Sequence, residues 1–359
     1  MTETPPAVSL TVYAGVDTHK HTHHAAIVDS VGRQIGDREF DATAAGHRQL
    51  LAWLTSAGIV SRVGVEGTGS YGCALTTVLR EAGLTVVDVD RPDRRSRRLH
   101  GKSDPIDAYA AATAALSGRA TTTPKTHDGN VEAIRFLRNA RRSAVKARAE
   151  AITGLKAMIV TAPEPVRACL DGLTDATLLR TCARKRPGAV TSGDITAAVI
   201  TSLRSLARRI LALTDEERTL TKQIRTLVAH TAPELLDRPG IASVTAAQLL
   251  ITFGDNRDRI VSEAAFAHLC GVAPIPASSG KTHRHRLNRG GDRQANRALY
   301  TIVINRMTHD ERTRTYVARR TTEHKTTREI TRCLKRAVAR EIYQLLTHRT
   351  TPQPALDET

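Results

Sequence analysis

Aromatic side chains are scarce in this chain: one tryptophan, four phenylalanines and six tyrosines among 359 residues. Base stacking and anchoring at a membrane surface both need such rings, so neither can dominate what the protein binds. Cysteine is sparse too. The five cysteines (Cys73, Cys169, Cys182, Cys270 and Cys333) are scattered, with no CxxC pair. That argues against a zinc site and a disulfide framework, and suits a reducing cytoplasm. No apolar run approaches the about 20 residues that cross a bilayer, and the N-terminus lacks a signal-peptide pattern. A Walker-type Gly-x-x-x-x-Gly-Lys run is also missing.

Positive charge is what the chain has in excess. Lys and Arg number 53 against 36 acidic residues, a net charge of +17. Such a surface attracts polyanions, nucleic acid first among them, and with few aromatics the phosphate contacts should dominate affinity. The competing explanation of the charge is a GC-rich coding sequence that favours Arg and Ala. Hydrophobic residues make up 40% of the chain, enough for globular domains, and the length predicts two or three of them.

Residues 11–120 read as an α/β unit. "TVYAGVD", "HHAAIVDS" and "RQIGDREFDA" are strand-like, with a turn around Val31 and Gly32 between the last two. "AAGHRQLLAWLTSAG" has helical spacing; "RVGVEG" is a strand, "YGCALTTVLREAG" a helix and "LTVVDVD" a strand. "DPIDAYAAATAAL" closes the unit as an alanine-rich helix with Pro105 in its first turn. Three strands in a meander followed by alternating helix and strand is the order of a ribonuclease H-like fold. A doubly wound nucleotide-binding fold is the rival, but it would open strand–helix–strand on a glycine-rich turn. Here "GTGSYG" follows the fourth strand.

Residues 128–231 read as elongated helices. From Leu203 apolar residues fall at 206, 210, 213, 220, 224 and 227, with Glu217 as the polar interruption, a heptad seam. Ile134, Leu137, Val145, Ile152, Leu155 and Ile159 keep a similar rhythm, with arginines at 141 and 148. The expectation is an antiparallel helical hairpin, either an oligomer contact or a plain intramolecular bundle. Residues 232–349 form a third, mainly helical unit. Within it "ELLDRPGIASVTAAQLLITFGD" has the helix–turn–helix pattern of a helix-hairpin-helix, whose turn offers N–H groups to a phosphate. Residues 1–10 and the tail 350–359 are expected to be disordered.

Two carboxylates, Asp104 and Asp107 in "GKSDPIDA", stand three apart at a helix start and can face one place. Bare, they repel; a divalent cation removes that penalty, and hard oxygen ligands suit Mg2+ or Mn2+. Asp17 ends the first strand and Glu66 the fourth, which are neighbours in a ribonuclease H-like sheet. The four acids are therefore expected to form one metal site able to run phosphodiester chemistry. Taken singly, Asp104 has a competing role as an N-cap. Arg91, Arg94, Arg95, Arg97, Arg98 and Lys102 precede the closing helix and would hold a polyphosphate. His19, His21, His23 and His24 invite a zinc reading, with the first three on one strand face. Without Cys or a second histidine cluster, a solvated strand start near phosphates is the expectation.

"GVDTHK", "VEGTGSYG" and "GKSDPIDA", followed downstream by "GVAPIPASSGK" and "NRGGDRQANRALY", resemble the DEDD transposases of bacterial insertion sequences. That is the IS110 family, related to the Piv-type DNA invertases. The resemblance runs from about Tyr13 to about Thr347. It implies a RuvC-like domain whose Asp17, Glu66, Asp104 and Asp107 bind Mg2+, with Mn2+ as the alternative ion. It also implies a nucleophilic serine in the C-terminal domain that becomes covalently linked to DNA: Ser279, with Ser278 as the alternative. Lys281, Arg284, Arg286 and Arg289 would then clamp the scissile phosphate. The family is guided by a structured bridge RNA that pairs with donor and target DNA, and works as dimers that assemble into a tetramer. A cytoplasmic, nucleoid-associated recombinase follows, with no membrane partner. The competing readings are a RuvC-like junction resolvase that hydrolyses DNA with the acids alone, and a non-catalytic nucleic-acid-binding protein.

Overall fold

The computed structural model describes residues 10–89, 103–278 and 285–347. The expectations of disorder at the two termini lie outside the described residues except at Leu10, whose carbonyl accepts from the Ile59 N–H at 2.8 Å. The chain divides into two compact units, one of residues 1–129 with 254–261, the other of 130–253 with 262–359. Among the described residues no helix is long and apolar enough to cross a membrane.

The first unit is built on a five-stranded sheet ordered β3-β2-β1-β4-β5. Its strands are β1 Thr11–Thr18, β2 Thr22–Asp29, β3 Gln34–Asp41, β4 Ile59–Glu66 and β5 Val86–Val89. β1, β2 and β3 form an antiparallel meander, and β4 and β5 run parallel to β1 and to each other. The antiparallel meander excludes the doubly wound rival, which would open with parallel strands joined by a crossover helix. The ribonuclease H-like order is the one observed.

Alternation along the strands separates two faces. On one face Val12, Ala14, Val16, Ile27, Val63 and Val65 are buried under helix α1, Ala44–Ser56, and helix α2, Cys73–Glu81. Leu50 and Leu54 of α1 are wholly buried there, each contributing about 1.5–3 kcal/mol. Thr43 caps α1, its hydroxyl accepting from the Gly46 N–H at 3.1 Å. The other face is covered by α3, Asp104–Leu116, whose buried side is Asp107, Ala108, Ala111, Ala112 and Ala115.

The contact under α3 is unusually close, and two glycines permit it. Gly15 in β1 and Gly64 in β4 are direct partners in the parallel register. A Cβ on Gly15 would collide with the backbone of Ala108 and Ala112, and one on Gly64 would lie 2.6 Å from the Ala111 carbonyl oxygen. The helix therefore rests on the bare backbone of the two central strands. Beside it, Tyr109 donates to Asp37 at 3.1 Å, and the same carboxylate meets His24 at 2.6 Å. Burial and the Asp37 bond push the Tyr109 phenol up to about 12.

The histidine-rich start of β2 is not what its pattern suggests. His19 and His21 lie in or beside the turn before β2, so they share no strand face with His23. His23 is fully buried rather than solvated, and stacks on His47 of α1 with ring centroids 5.2 Å apart. Their Nε2 atoms are 3.2 Å apart, so one ring donates and the other accepts. Burial, and then the His47 neighbour, lower the His23 imidazole from 6.5 to about 4.

In the second unit, α4 (Asn130–Val160) lies along α7 (Ile195–Thr231), with α5 (Glu164–Ala168) and α6 (Asp175–Arg184) between them in sequence. The register runs antiparallel: Asn130 meets His230, and Arg141 meets Thr221 and Glu217. Buried positions on α7 are Ala197, Leu203, Ala207, Ile210, Ile224 and Val228. Glu217, the polar gap in the seam, receives Arg141 at 2.6 Å and Arg148 at 2.7 Å. Next come α8 (Pro233–Leu236), a single turn, then Pro239 and Gly240 with φ +74°, then α9 (Ser243–Phe253). The unit ends with α10 (Glu263–Leu269), the two-residue pair β6 Ile275–Pro276 and β7 His285–Arg286, α11 (Arg293–His309), α12 (Glu311–Thr322) and α13 (Thr327–Thr347).

Two expectations follow. Gly15→Ala should lower stability by about 1–3 kcal/mol or more through overpacking. Gly36→Ala, where nothing lies within 4 Å of the new methyl, should stay within about 1 kcal/mol; paired urea titrations measure both. His23 binds its proton less readily folded than unfolded, so its contribution is complete above pH 6.5 and is lost as pH falls toward about 4. The loss should be on the order of 3 kcal/mol, at about 1.4 kcal/mol per pKa unit. His23→Gln should flatten the stability profile across that window.

Candidate active site

Asp17 is the seventh residue of β1 and Glu66 the last of β4. Val16 pairs with Val65 facing α1 and α2, so by alternation Asp17 and Glu66 both fall on the α3 face, at the same end of the sheet. The two strand ends are tied together by the Thr18 hydroxyl, which donates to the Glu66 carbonyl at 2.7 Å. Helix α3 starts at this edge. Its N-cap is Ser103, not Asp104, so the Asp104 carboxylate is not spent on capping. Asp107, one turn on, is 3% exposed, and Asp17 is 6% exposed. Both carboxylates in the first turn of α3 are favoured by the helix dipole.

Asp17 and Asp104 are brought together, and His19 joins them. One ligand atom of each lies within 4.8 Å of the others. His19 Nδ1 is 3.8 Å from Asp17 Oδ2 and 3.9 Å from Asp104 Oδ2. Glu66 and Asp107 stand one strand and one helical turn away, outside that closest group. Oxygen donors from a strand and a helix, almost 90 residues apart in the chain, together with His19 could hold a divalent cation. The histidine is the member that sequence reasoning missed. The signal was there in "DTHK", but it was read as part of a strand instead of a turn, closed by the His19 N–H donating to Thr22 O at 3.0 Å.

The basic stretch before α3 (Arg91, Arg94, Arg95, Arg97, Arg98 and Lys102) lies outside the described residues. So do Ser279, Lys281 and Arg284. Ser278 is described and exposed, two residues beyond β6. Arg286, exposed, pairs in β7 with Ile275, and Arg289 is exposed just after it.

The base of that loop is held by a polar network. Asp292 caps α11, accepting from the N–H groups of Gln294 at 2.8 Å and Ala295 at 3.2 Å. Its other oxygen accepts from Thr252 at 2.7 Å and Gln248 at 3.3 Å, both buried on α9. Asn296 donates to the carbonyls of Cys270 at 3.1 Å and Gly271 at 2.9 Å, and accepts from Lys335 at 2.9 Å. Gly271 has φ +66°, and a Cβ on Gly291 would collide with its backbone. The two ends of the loop thus meet at a glycine-to-glycine contact. Burial, and then the nearby Asp292 charge, push the Cys270 thiol well above its usual range, so it is an inert packing group.

Comparison with known proteins agrees with this layout. A DEDD transposase profile of IS110 elements, described as "Transposase", matches residues 14–162, which carry all four acids. The profile described as "Transposase IS116/IS110/IS902 family" matches residues 232–318, which carry the loop and its anchors. This chain belongs to the IS110 family of transposases. Relatives include the 43.6 kDa protein of insertion element IS110 from Streptomyces coelicolor, 26% identical over 88% of this chain and 89% of that protein. A mini-circle protein of the same organism, assigned as transposase for IS117, is 27% identical over 77% of this chain and 79% of its own length. As an IS110 transposase the chain is an enzyme acting on DNA.

The anchor predicts a measurable loss. Asp292→Ala removes a helix cap and the bonds that Thr252 and Gln248 make to its carboxylate, so unfolding should become easier by about 2–3 kcal/mol. Asp292→Asn, which keeps an acceptor, should lose less by the same thermal or denaturant measurement.

Proposed function

We propose that this IS110 transposase cuts and rejoins DNA through a covalent serine–DNA intermediate, at a Mg2+ site made by Asp17, Glu66, Asp104 and Asp107, with a structured guide RNA selecting the DNA. The observation that carries the proposal is the approach of Asp17 and Asp104, from separate elements, to within the reach of one ion. Mn2+ can replace Mg2+ on such a donor set.

A divalent cation held by these four carboxylates would supply neutralisation of charge on the scissile phosphate and on the entering and leaving oxygens. The chain's own residues do the rest. The hydroxyl oxygen of Ser279, or of Ser278, forms a bond to phosphorus as the bond from phosphorus to one deoxyribose oxygen breaks. The serine proton leaves to a carboxylate or water of the acidic site, and the departing oxygen takes up a proton. The reverse step, with an incoming DNA hydroxyl, rejoins the strand and restores the serine, so no external energy source enters. Lys281, Arg284, Arg286 and Arg289 hold the phosphate by charge-assisted hydrogen bonds. Arg91, Arg94, Arg95, Arg97, Arg98 and Lys102 track a nucleic-acid backbone.

A guide RNA accounts for the scarcity of aromatics: base pairing reads sequence while a protein of net charge +17 reads phosphate. In this reading, residues 11–120 act as a RuvC-like domain, residues 128–231 as a coiled-coil arm and residues 232–349 as the transposase domain. The arm α4–α7 serves dimerisation ahead of a tetramer on DNA. The α8–α9 turn acts as a helix-hairpin-helix against a phosphate. The enzyme works at the nucleoid.

The test is a denaturing gel of end-labelled element DNA incubated with protein, guide RNA and Mg2+. Wild type should give a protein-linked DNA band, and Ser279→Ala with Ser278→Ala should give none while still binding DNA. Asp17→Asn should slow cleavage by about 100-fold or more. Undiminished cleavage by the double serine variant would assign a hydrolytic resolvase instead.

A further inference from the structure

His19 does not belong to the four-acid motif, yet it is the residue the structure sets between two of the acids. Its Nδ1 lies 3.8 Å from Asp17 and 3.9 Å from Asp104. Those distances exceed a hydrogen bond of about 3.2 Å. They fall inside the span of two ligands on a single ion, about 4.2 Å at most for bonds of about 2.1 Å. Neither ring nitrogen has another hydrogen-bond partner among the described residues. The ring is 44% exposed, so its other edge is open to solvent. The turn that carries it is tied by the His19 N–H to Thr22 O and, one residue earlier, by Thr18 to the end of β4. The backbone thus presents the imidazole to the acids.

We propose that His19 is a further protein ligand of this site, through Nδ1, and that it makes the site hold Mn2+ in preference to Mg2+. Magnesium takes oxygen ligands almost exclusively, whereas imidazole nitrogen is a good ligand for first-row transition ions. An all-carboxylate site would not discriminate in this way. The inference rests on the metal site of the proposed function and adds to it a nitrogen donor and an ion preference.

The experiment uses the full-length protein, without DNA, loaded with Mn2+ and observed by pulsed electron paramagnetic resonance alongside calorimetric titration with Mn2+ and Mg2+. Wild type should show nuclear modulation from a coordinated imidazole nitrogen, and His19→Ala should lose it. Mn2+ affinity should fall about 10-fold or more in His19→Ala, with Mg2+ affinity changed by less than about 3-fold. His19→Asn supplies an oxygen and should leave Mg2+ binding intact without restoring the nitrogen signal. Since the side chain is half-exposed, circular dichroism should be unchanged. Nitrogen modulation that persists in His19→Ala, or equal Mn2+ affinity in the two proteins, overturns the proposal and leaves the carboxylate site standing. Absence of Mn2+ and Mg2+ binding in wild type overturns both.

Discussion

An alanine-faced helix lying directly on the backbone of two glycines is the contact on which the acidic site depends. Gly15 and Gly64 are partners in adjacent parallel strands, and α3 presents Ala108, Ala111 and Ala112 to them. Any larger residue on either side would lift the helix away from the sheet. Asp104 rides at the first turn of that helix, and Asp17 at the end of the strand beneath it. Helix height therefore sets whether their oxygens fall within one ion's reach or several ångströms outside it. The packing is non-polar and local; what it produces is electrostatic.

The electrostatic result is a cluster of like charges at a partly buried edge. Carboxylates so gathered repel, and an imidazole stands with two of them. Elsewhere the chain pairs its acids with cations: Glu217 takes two arginines, Glu341 takes Arg306, and Glu263 takes Arg336 and Arg340. In this group the third member is an imidazole, a side chain that ligates metal ions.

The C-terminal loop shows the same division between frame and chemistry. Part of "NRGGDRQANRALY" holds the loop's ends: Asp292 caps α11 and receives two buried side chains of α9, and Asn296 ties to the backbone at Gly271. A stretch that carries the family resemblance is, at these positions, a frame for the loop. The buried polar atoms are satisfied from several elements at once, and such networks tolerate little change.

Much of this was legible in the chain. The meander, the alternation of strand and helix and the alanine-rich closing helix follow from local periodicity, because side-chain spacing of two or 3.6 is written residue by residue. The meeting of Asp17 with Asp104 was legible at one remove, through strand order. Glu217 was visible as a gap in a heptad, but its arginines on α4 come from across the register, about 70 residues away. His23 and His19 show the limit. Four residues apart in one polar run, one ends stacked and dry against α1, the other between two carboxylates. By itself the sequence determined which elements form, their order and the acids available to a metal. Only the tertiary structure decided which histidine stands with those acids, because a turn of three residues and the depth of one helix are set by long-range packing that no local pattern encodes.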